Sequence, residues 1–218
     1  MLVFDMDGVL VDVSESYRAT IAKTVEQFTG RVIAPDLIQQ YKNAGGWNND
    51  WALAQRIVLD TSGSEIPYDE VVGVFQQHFL GENNDGLILR ERWLPRAGLL
   101  ERLAADHPLA IFTGRPRQEL DLTLHRYARS VQWTMIVADG DVPNAKPAAD
   151  GLQAILAAHP TDMLCYVGDT VDDARSARAA GVRFIGVAHE GSEGLRELLL
   201  REGAANVMRN INEIEPLL

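Results

Sequence analysis

The sequence has one cysteine, Cys165, among 218 residues, which excludes an internal disulfide framework and a cysteine cluster for zinc. Basic residues are also few: 20 Lys and Arg stand against 31 Asp and Glu, and the formal net charge is −11. Such a chain repels phosphate backbones, so we expect no nucleic-acid partner. No apolar run approaches the ~18 residues of a membrane span, and acidic residues near the start do not fit a signal peptide. We therefore expect a cytoplasmic protein with no membrane partner.

The second half of the sequence alternates short apolar runs with amphipathic helical patterns. Its glycines have neither the dinucleotide-binding nor the P-loop spacing. The predicted strands are residues 2–4, 108–112, 135–138, 163–167, 183–187 and 206–208, and the predicted helices are 116–128, 147–158, 171–180 and 192–202. Continuous apolar strands between amphipathic helices predict an α/β fold, a Rossmann-like parallel sheet covered by helices on both faces.

Residues 13–92 break this rhythm and have no convincing strand pattern. Four helices are predicted there, at 14–29, 35–41, 50–59 and 68–80. We therefore expect a helical domain, residues 13–92, inserted after the first strand of an α/β core formed by residues 1–12 and 93–218.

Acidic and hydroxyl residues follow three of the predicted strands, at the point where each strand ends. Asp5 and Asp7 come after the first strand, Thr113 after the second and Asp169 after the fourth. Ligands of open α/β sheets bind outside the carboxyl ends of strands, so we expect one shared site. Converging carboxylates repel one another unless a cation neutralises them, and all-oxygen ligands favour Mg²⁺ over zinc. Lys146, at the predicted start of a helix, would add a positive charge at an anion site.

Four segments, taken in order, resemble the motifs of the haloacid dehalogenase superfamily. Residues 4–12 (FDMDGVLVD) resemble the first motif, DxDGxLxD, and residues 111–115 (IFTGR) the second, an apolar strand that ends in Thr or Ser. Lys146-Pro147 resembles the third, and residues 167–173 (VGDTVDD) the fourth, GDxxxD. The resemblance covers the whole chain, because the inserted helices match the cap of the subgroup that includes phosphoglycolate phosphatases and β-phosphoglucomutases.

The resemblance implies covalent phosphoryl transfer. Asp5 would be the nucleophile that attacks phosphorus and forms an aspartyl-phosphate. Asp7 would protonate the leaving alkoxide and then activate water as a base. The implied cofactor is Mg²⁺, held by the carboxylates of Asp5 and Asp169 and the backbone carbonyl of Asp7, with Asp173 supporting it through water.

The same resemblance implies which groups bind the phosphoryl oxygens. They would be Thr113, the backbone N–H of Gly114 and Lys146, acting by positioning and by spreading negative charge. The expected partner is a small phosphorylated metabolite, and the expected oligomeric state is a monomer or a homodimer.

Asp7 also distinguishes between branches of the family. The metal-free dehalogenase branch has no Asp two positions after its nucleophile, so the sequence favours hydrolysis of a phosphate monoester. A phosphonatase would use a cap lysine as a Schiff base, but Lys23 and Lys42 fit no such pattern. A sugar phosphomutase shares all four motifs and stays open as an alternative. A non-catalytic relative is the weaker alternative, since it would typically lose Asp5 or Asp7.

The stretch from Lys42 to Asp50 is the candidate for substrate selection. Adjacent glycines permit close approach of a ligand, and the stretch also offers amide, carboxylate and indole groups. Arg115 could bind a substrate phosphate or carboxylate, or pair with the cap. The candidate substrate-binding residues are Asn43, Gly45, Gly46, Trp47, Asn48, Asp50 and Arg115. The alternative interpretation is a turn between helices, with Asn49 or Asp50 as an N-cap and Trp51 in the cap core.

This stretch, YKNAGGWNNDW, and the segment FTGRPR resemble a small subgroup of these hydrolases. Some members of that subgroup occur beside or fused to histidine-biosynthesis enzymes. The resemblance therefore makes a histidinol-phosphate-like substrate one candidate, beside a phosphoglycolate-like one. Asp50 could pair with the amine of the former.

Overall fold

The computed structural model describes residues 1–161 and 163–218 of the chain. The chain divides into two compact units. We call Met1–Val11 together with Trp93–Leu218 the sheet unit, and Asp12–Arg92 the helical unit. Within the described residues, no helix combines the length and the apolar character needed to cross a lipid bilayer.

The sheet unit is built on six parallel strands. In chain order the strands of the protein are β1 Leu2–Phe4, β2 Val11–Asp12, β3 Arg92–Trp93, β4 Leu109–Pro116, β5 Trp133–Asp139, β6 Cys165–Gly168, β7 Arg183–Val187 and β8 Asn206–Met208. The six strands of the main sheet have the order β5-β4-β1-β6-β7-β8, and β2 and β3 pair separately with each other. β1 therefore lies between β4 and β6, where strand order reverses, and this is the position at which open sheets bind ligands.

Nine helices belong to the described residues. The helical unit contains α1 Tyr17–Thr29, α2 Pro35–Ala44, α3 Asp50–Ser62 and α4 Tyr68–Phe79, and the sheet unit contains α5 Leu99–Asp106, α6 Arg117–Tyr127, α7 Asp150–Ala158, α8 Val171–Ala180 and α9 Glu193–Arg201. Right-handed crossovers place α5 and α6 on one face of the sheet and α7, α8 and α9 on the other. Side chains of the second group, such as Leu152, Ala177 and Leu199, share a buried cluster with Val3 of β1.

The predicted α/β fold is confirmed, and several elements have the predicted bounds. β1, β7, β8 and α8 match residue for residue. Cys165 lies in the core, and burial raises the pKa of its thiol to about 11.

Other elements differ from the predictions: the short strands β2 and β3 were not predicted, and most of the remaining helices and strands are shifted by one to three residues at an end. The start of α7 was predicted at Pro147, but the helix begins at Asp150, because residues 145–148 form a turn in which Ala148 N–H donates to Ala145 O at 3.0 Å. Lys146 therefore precedes the helix rather than beginning it. α5 was not predicted, and β4 continues past its apolar run to Pro116.

Candidate active site

A tight turn follows β1 and holds the two acidic residues of the first motif. Leu10 and Val11 both donate backbone hydrogen bonds to Met6 O at 2.9 Å, and Gly8 N–H donates to Val11 O at 2.8 Å. Gly8 has φ +73°, and a Cβ there would lie 1.9 Å from Asp169 Oδ2. A glycine is therefore required for backbone conformation and for space, and its small size lets Asp169 of the fourth motif approach the β1 turn.

Lys146 is a buried cation between two carboxylates. Its Nζ lies 3.0 Å from Asp5 Oδ1 and 2.8 Å from Asp173 Oδ1, and its side chain is only 1% exposed. The rings of Phe112 and Tyr166 lie beside the ammonium, with centroids 5.0 and 5.5 Å from Nζ. Two carboxylates and two aromatic faces thus hold a charge that would be costly to bury alone.

Both oxygens of the Asp173 carboxylate have partners in neighbouring residues. Its Oδ1 accepts a hydrogen bond from the Tyr166 hydroxyl at 2.7 Å in addition to contacting Lys146. Its Oδ2 accepts from the Thr170 hydroxyl at 2.7 Å and from Thr170 N–H at 2.9 Å, and Thr170 Oγ1 in turn caps the N-terminus of α8. This geometry suits a residue that positions Lys146 and α8 better than one that ligates a metal directly.

The buried acidic cluster fits a hard divalent cation. Carboxylate oxygens of Asp5, Asp169 and Asp173 lie within 4.8 Å of one another. Since the oxygens of Asp173 are engaged, Asp5 and Asp169 are the stronger candidates for direct ligands. Burial, together with the nearby charges of Asp173 and Asp7, raises the pKa of Asp5 to about 7 despite Lys146. The protein alone therefore supplies too little positive charge for this carboxylate, and a cation held by oxygen ligands would correct the deficit.

Lys146 and Asp173 stabilise each other's charged form. Burial alone would lower the pKa of Lys146, but the carboxylates of Asp173 and Asp5 outweigh burial and raise it. Burial would raise the pKa of Asp173, but the Lys146 ammonium and the hydrogen bonds from Thr170 and Tyr166 hold it below its usual range. Lys146 is thus a permanent positive charge beside Asp5.

β4 brings Thr113, Gly114 and Arg115 to the same end of the sheet. Phe4 pairs with Ile111, so Asp5 lies one residue beyond this pair on β1 and Thr113 two residues beyond it on β4. Thr113 is buried, and its Oγ1 accepts a hydrogen bond from Arg115 N–H at 3.2 Å. The sheet unit therefore brings together the residues predicted from all four motifs: Asp5, Asp7, Thr113, Gly114, Lys146, Asp169 and Asp173.

The Arg115 guanidinium lies on Asp7, a contact that the sequence did not indicate. Its Nε is 3.1 Å from Asp7 Oδ1, and its Nη2 contacts the same oxygen. Its Nη1 donates to Thr123 Oγ1 of α6 at 2.8 Å. The predicted contacts of Arg115 with substrate or cap stay untested, since here the guanidinium is engaged inside the sheet unit.

The candidate substrate-binding stretch lies in the helical unit, and its first residue belongs to a helix. Asn43 is in the last turn of α2, where its Oδ1 accepts from Gln39 Nε2 at 2.7 Å. Gly45 and Gly46 follow with φ of 80° and 82°, and Trp47 packs edge-on against Tyr41. Asn48 comes next, directly before the N-cap of α3.

Several polar groups of this stretch have partners inside the helical unit. Asp50 Oδ1 lies 2.5 Å from Lys42 Nζ, which also donates to Trp47 O at 2.8 Å. Asn49 Oδ1 accepts from Ala52 N–H at 2.9 Å as the N-cap of α3, and Trp51 packs edge-on against Phe75. The alternative interpretation, a turn that caps the next helix, therefore accounts for Asn49 and Trp51. The substrate contacts of the other residues stay predictions.

Three residues with a structural role at the site were missed by the sequence reasoning: Thr123, Tyr166 and Thr170. Thr170 had a detectable signal, because Thr-x-x-Asp before a helix is a capping pattern. Tyr166 sits inside an apolar strand, where its hydroxyl gives no sign of the carboxylate it contacts. Thr123 faces Arg115 only because α6 folds back on β4.

Residues 2–187 match the family described as haloacid dehalogenase-like hydrolases. The chain belongs to this family. The match takes in all four motifs, and it confirms the family that the sequence resembles.

Two relatives match most of this chain. The chain is 35% identical over 195 residues to an imidazoleglycerol-phosphate dehydratase of Phytophthora nicotianae, a match that covers 85% of this chain but only 42% of that protein. It is 25% identical over 230 residues to phosphoglycolate phosphatase 1 of Pseudomonas aeruginosa, covering 99% of this chain and 78% of that one. The hydrolase family and the phosphoglycolate phosphatase relative confirm the expectation of an enzyme of the phosphatase type.

A solved structure shows the same fold. It is described as a predicted phosphoglycolate phosphatase of Haemophilus somnus, and it superposes with a TM-score of 0.79 over 100% of this chain and 96% of its own. The identity is 18%, so this likeness concerns the fold alone.

Proposed function

We propose that the protein is a Mg²⁺-dependent phosphatase that hydrolyses a small phosphate monoester through an aspartyl-phosphate on Asp5. One observation carries the proposal: the buried Asp5 carboxylate lies 3.0 Å from a buried lysine and within 4.8 Å of two further carboxylates. A carboxylate nucleophile, a fixed cation for the phosphoryl group and oxygen ligands for a metal are the parts that phosphoryl transfer requires.

Each residue of the site has a distinct role in the proposed reaction. Asp5 attacks phosphorus, while Thr113, Gly114 N–H and Lys146 orient the phosphoryl oxygens and balance their charge. Asp7 gives a proton to the leaving oxygen and then takes one from the attacking water.

The carboxylates of Asp5 and Asp169 and the carbonyl of Asp7 would hold Mg²⁺, with Asp173 supporting it through water. The bound ion supplies a divalent charge that lets an anionic substrate approach an anionic nucleophile.

The substrate that we propose is a small phosphorylated metabolite. The relatives support two candidates: phosphoglycolate, for which one is named, and a phosphate ester close to imidazoleglycerol phosphate, such as histidinol phosphate. The Lys42–Asp50 stretch would then select among such esters. A screen of phosphorylated metabolites, repeated with Trp47→Ala, identifies the substrate and tests this selection.

The mechanism is tested by Asp5→Asn and by removal of the metal. The variant should lose at least ~10³-fold in kcat, as when other essential nucleophiles are removed. Asp121→Asn, the same change at an exposed site on α6, is the control and should keep wild-type activity. EDTA should silence the enzyme, and Mg²⁺ should restore it. Asp5→Asn with a tenth of wild-type activity would disprove the aspartyl-phosphate, and full activity in EDTA would disprove the metal requirement.

The same assay separates the alternatives. A phosphomutase would form an isomeric sugar phosphate faster than it releases phosphate. A non-catalytic relative would do neither with any ester.

A further inference from the structure

Arg115 is the largest fully buried side chain of the described residues, and it ends at the candidate acid–base residue. The Arg115 side chain is 0% exposed, whereas that of Asp7 is 28% exposed. A buried guanidinium therefore reaches outward to a carboxylate that solvent and substrate can reach. Burying this charge is unfavourable unless it is paired, so the contact with Asp7 helps to stabilise the buried guanidinium.

The contact involves only one of the two oxygens of Asp7. Nε and Nη2 of Arg115 both contact Oδ1. The Asp7 side chain is still 28% exposed, so its carboxylate is not enclosed by this contact. Nη1 is anchored by Thr123 Oγ1 at 2.8 Å, and Thr123 is itself completely buried on α6. The carboxylate is thus held at Oδ1 by the guanidinium while the side chain remains partly exposed.

We propose that Arg115 is a positioning residue, which fixes Asp7 through Oδ1 so that Oδ2 exchanges protons with the leaving group and with water. The inference rests on the proposed function, because it assigns a partner to the acid–base residue of that reaction. Arg115 acts through Asp7 and does not bind the substrate.

The proton balance follows from this assignment. In the first step Asp5 forms a bond to phosphorus, the bond from phosphorus to the leaving oxygen breaks, and the proton on Asp7 Oδ2 moves to that oxygen. In the second step water attacks phosphorus, its proton moves to Oδ2, and the bond between Asp5 and phosphorus breaks. The products are the alcohol and inorganic phosphate, and both aspartates regain their starting states.

Arg115→Met should separate the two steps when p-nitrophenyl phosphate is the substrate. Nitrophenolate leaves without a proton, so the initial burst of nitrophenolate should stay within a few-fold of wild type. Phosphate release needs water activated at Oδ2, and it should slow by ~10–100-fold, the scale of a misplaced catalytic group. With an alkyl phosphate both steps should slow. Arg115→Lys, which keeps the charge but loses the fork, should give an intermediate rate.

A double-mutant cycle gives the decisive comparison. If Arg115 acts only through Asp7, then Arg115→Met in the Asp7→Ala background should change the rate by no more than ~2-fold. A direct contact between Arg115 and the substrate would instead multiply the two losses, and this result would overturn the inference. Arg117→Met, a nearby arginine paired with Asp141, is the control and should leave both steps unchanged.

Thr123→Val provides a second route if Arg115→Met does not fold, as judged by circular dichroism. It removes the anchor of Nη1 with little change in shape, and it should slow phosphate release by a smaller factor that disappears in Asp7→Ala. An unchanged Thr123→Val rate would overturn the inference. These outcomes are separate from failure of the proposed function, in which the wild type itself would release no phosphate or Asp5→Asn would stay active.

Discussion

Gly8 determines both the backbone conformation of the turn after β1 and the space available to Asp169 of the acidic cluster. Its positive φ is strained for any residue with a Cβ, at a cost of about 1 kcal/mol. A Cβ would also displace Asp169, whose Oδ2 lies 1.9 Å from the position it would take. The first effect occurs at many turns, and the second is specific to this site.

Gly8→Ala should therefore impair metal use more than stability. We expect a loss of about 1–2 kcal/mol in the free energy of unfolding, and an increase of ~10–100-fold in the Mg²⁺ concentration for half-maximal activity, the usual cost of disturbing a metal ligand's support. Gly181→Ala is the matched control, because Gly181 has φ +69° and open space around it. It should lose similar stability and keep its Mg²⁺ dependence. If both variants needed the same Mg²⁺ concentration for half-maximal activity, the close approach of Asp169 to Gly8 would not matter for metal use.

For single residues, the sequence indicated which candidate side chains lie together at the site, but not the residues that contact them. Asp5, Asp7 and Lys146 could be identified because motif spacing is local in the chain. The contact of Arg115 with Asp7 joins residues 108 positions apart, and no periodicity encodes it. Lys146 considered alone would be expected at the surface, and only the fold shows that Asp173 and Asp5 surround it.

At the scale of elements, one residue at the N-terminus of α8 both caps the helix and contacts the candidate site. Thr170 and Asp173 form a reciprocal capping box, and the same Asp173 carboxylate holds Lys146. The helix start and the position of Lys146 therefore depend on one side chain. Gly168 reinforces the arrangement, because a Cβ there would lie 2.5 Å from the Cβ of Asp173.

Two substitutions at this helix should separate the roles of the cap and the ion pair. Thr170→Ala removes the cap hydroxyl and should cost about 1 kcal/mol of unfolding free energy, with a modest loss of activity. Asp173→Ala also leaves Lys146 short of a partner and should cost about 3–5 kcal/mol, with activity almost abolished. Urea unfolding and phosphate release measure the two effects. Similar losses for both variants would mean that Asp173 acts only as a cap.

Elements were predictable where local signals were strong. α8 ends at a glycine, and β7 is an apolar run that follows Arg183, so their bounds were found from sequence. The start of α7 was misplaced because Pro147 suits a first helical turn, whereas the backbone there forms a separate turn. The helix predicted at 35–41 ends too early, because α2 continues to Ala44, directly before the two adjacent glycines.

For the whole molecule, the raised pKa of Asp5 couples folding to pH when no metal is bound. The folded value of about 7 lies above the ordinary 3.8, so the folded state binds this proton more tightly than the unfolded state does. The contribution to stability is present at low pH and is lost as pH rises towards 7 and above. Its upper bound is roughly 4 kcal/mol. The lowered pKa of Asp173 and the raised pKa of Lys146 act outside this window.

We therefore expect the melting temperature in EDTA to fall by several degrees from pH 5 to pH 8, and to fall less in Asp5→Asn. The variant cannot ionise at this position, so the difference between the two proteins isolates Asp5. Added Mg²⁺ should restore the wild type at pH 8, since a ligand that binds only the folded state stabilises it. Thermal melts at both pH values measure this. Parallel curves for wild type and variant in EDTA would show that Asp5 ionises normally.

The position of β1 in the sheet has a consequence for synthesis on the ribosome. Leu2 pairs with Leu109 on one side and Cys165 on the other, so β1 is made well before either of the strands that pair with it. At about 5–20 residues per second, translation leaves it without a partner for many seconds. The whole helical unit, Asp12–Arg92, leaves the ribosome within that interval. Contacts within its helices are local in sequence, whereas the sheet partners of β1 are distant, and β6 is made only after β4 and β5.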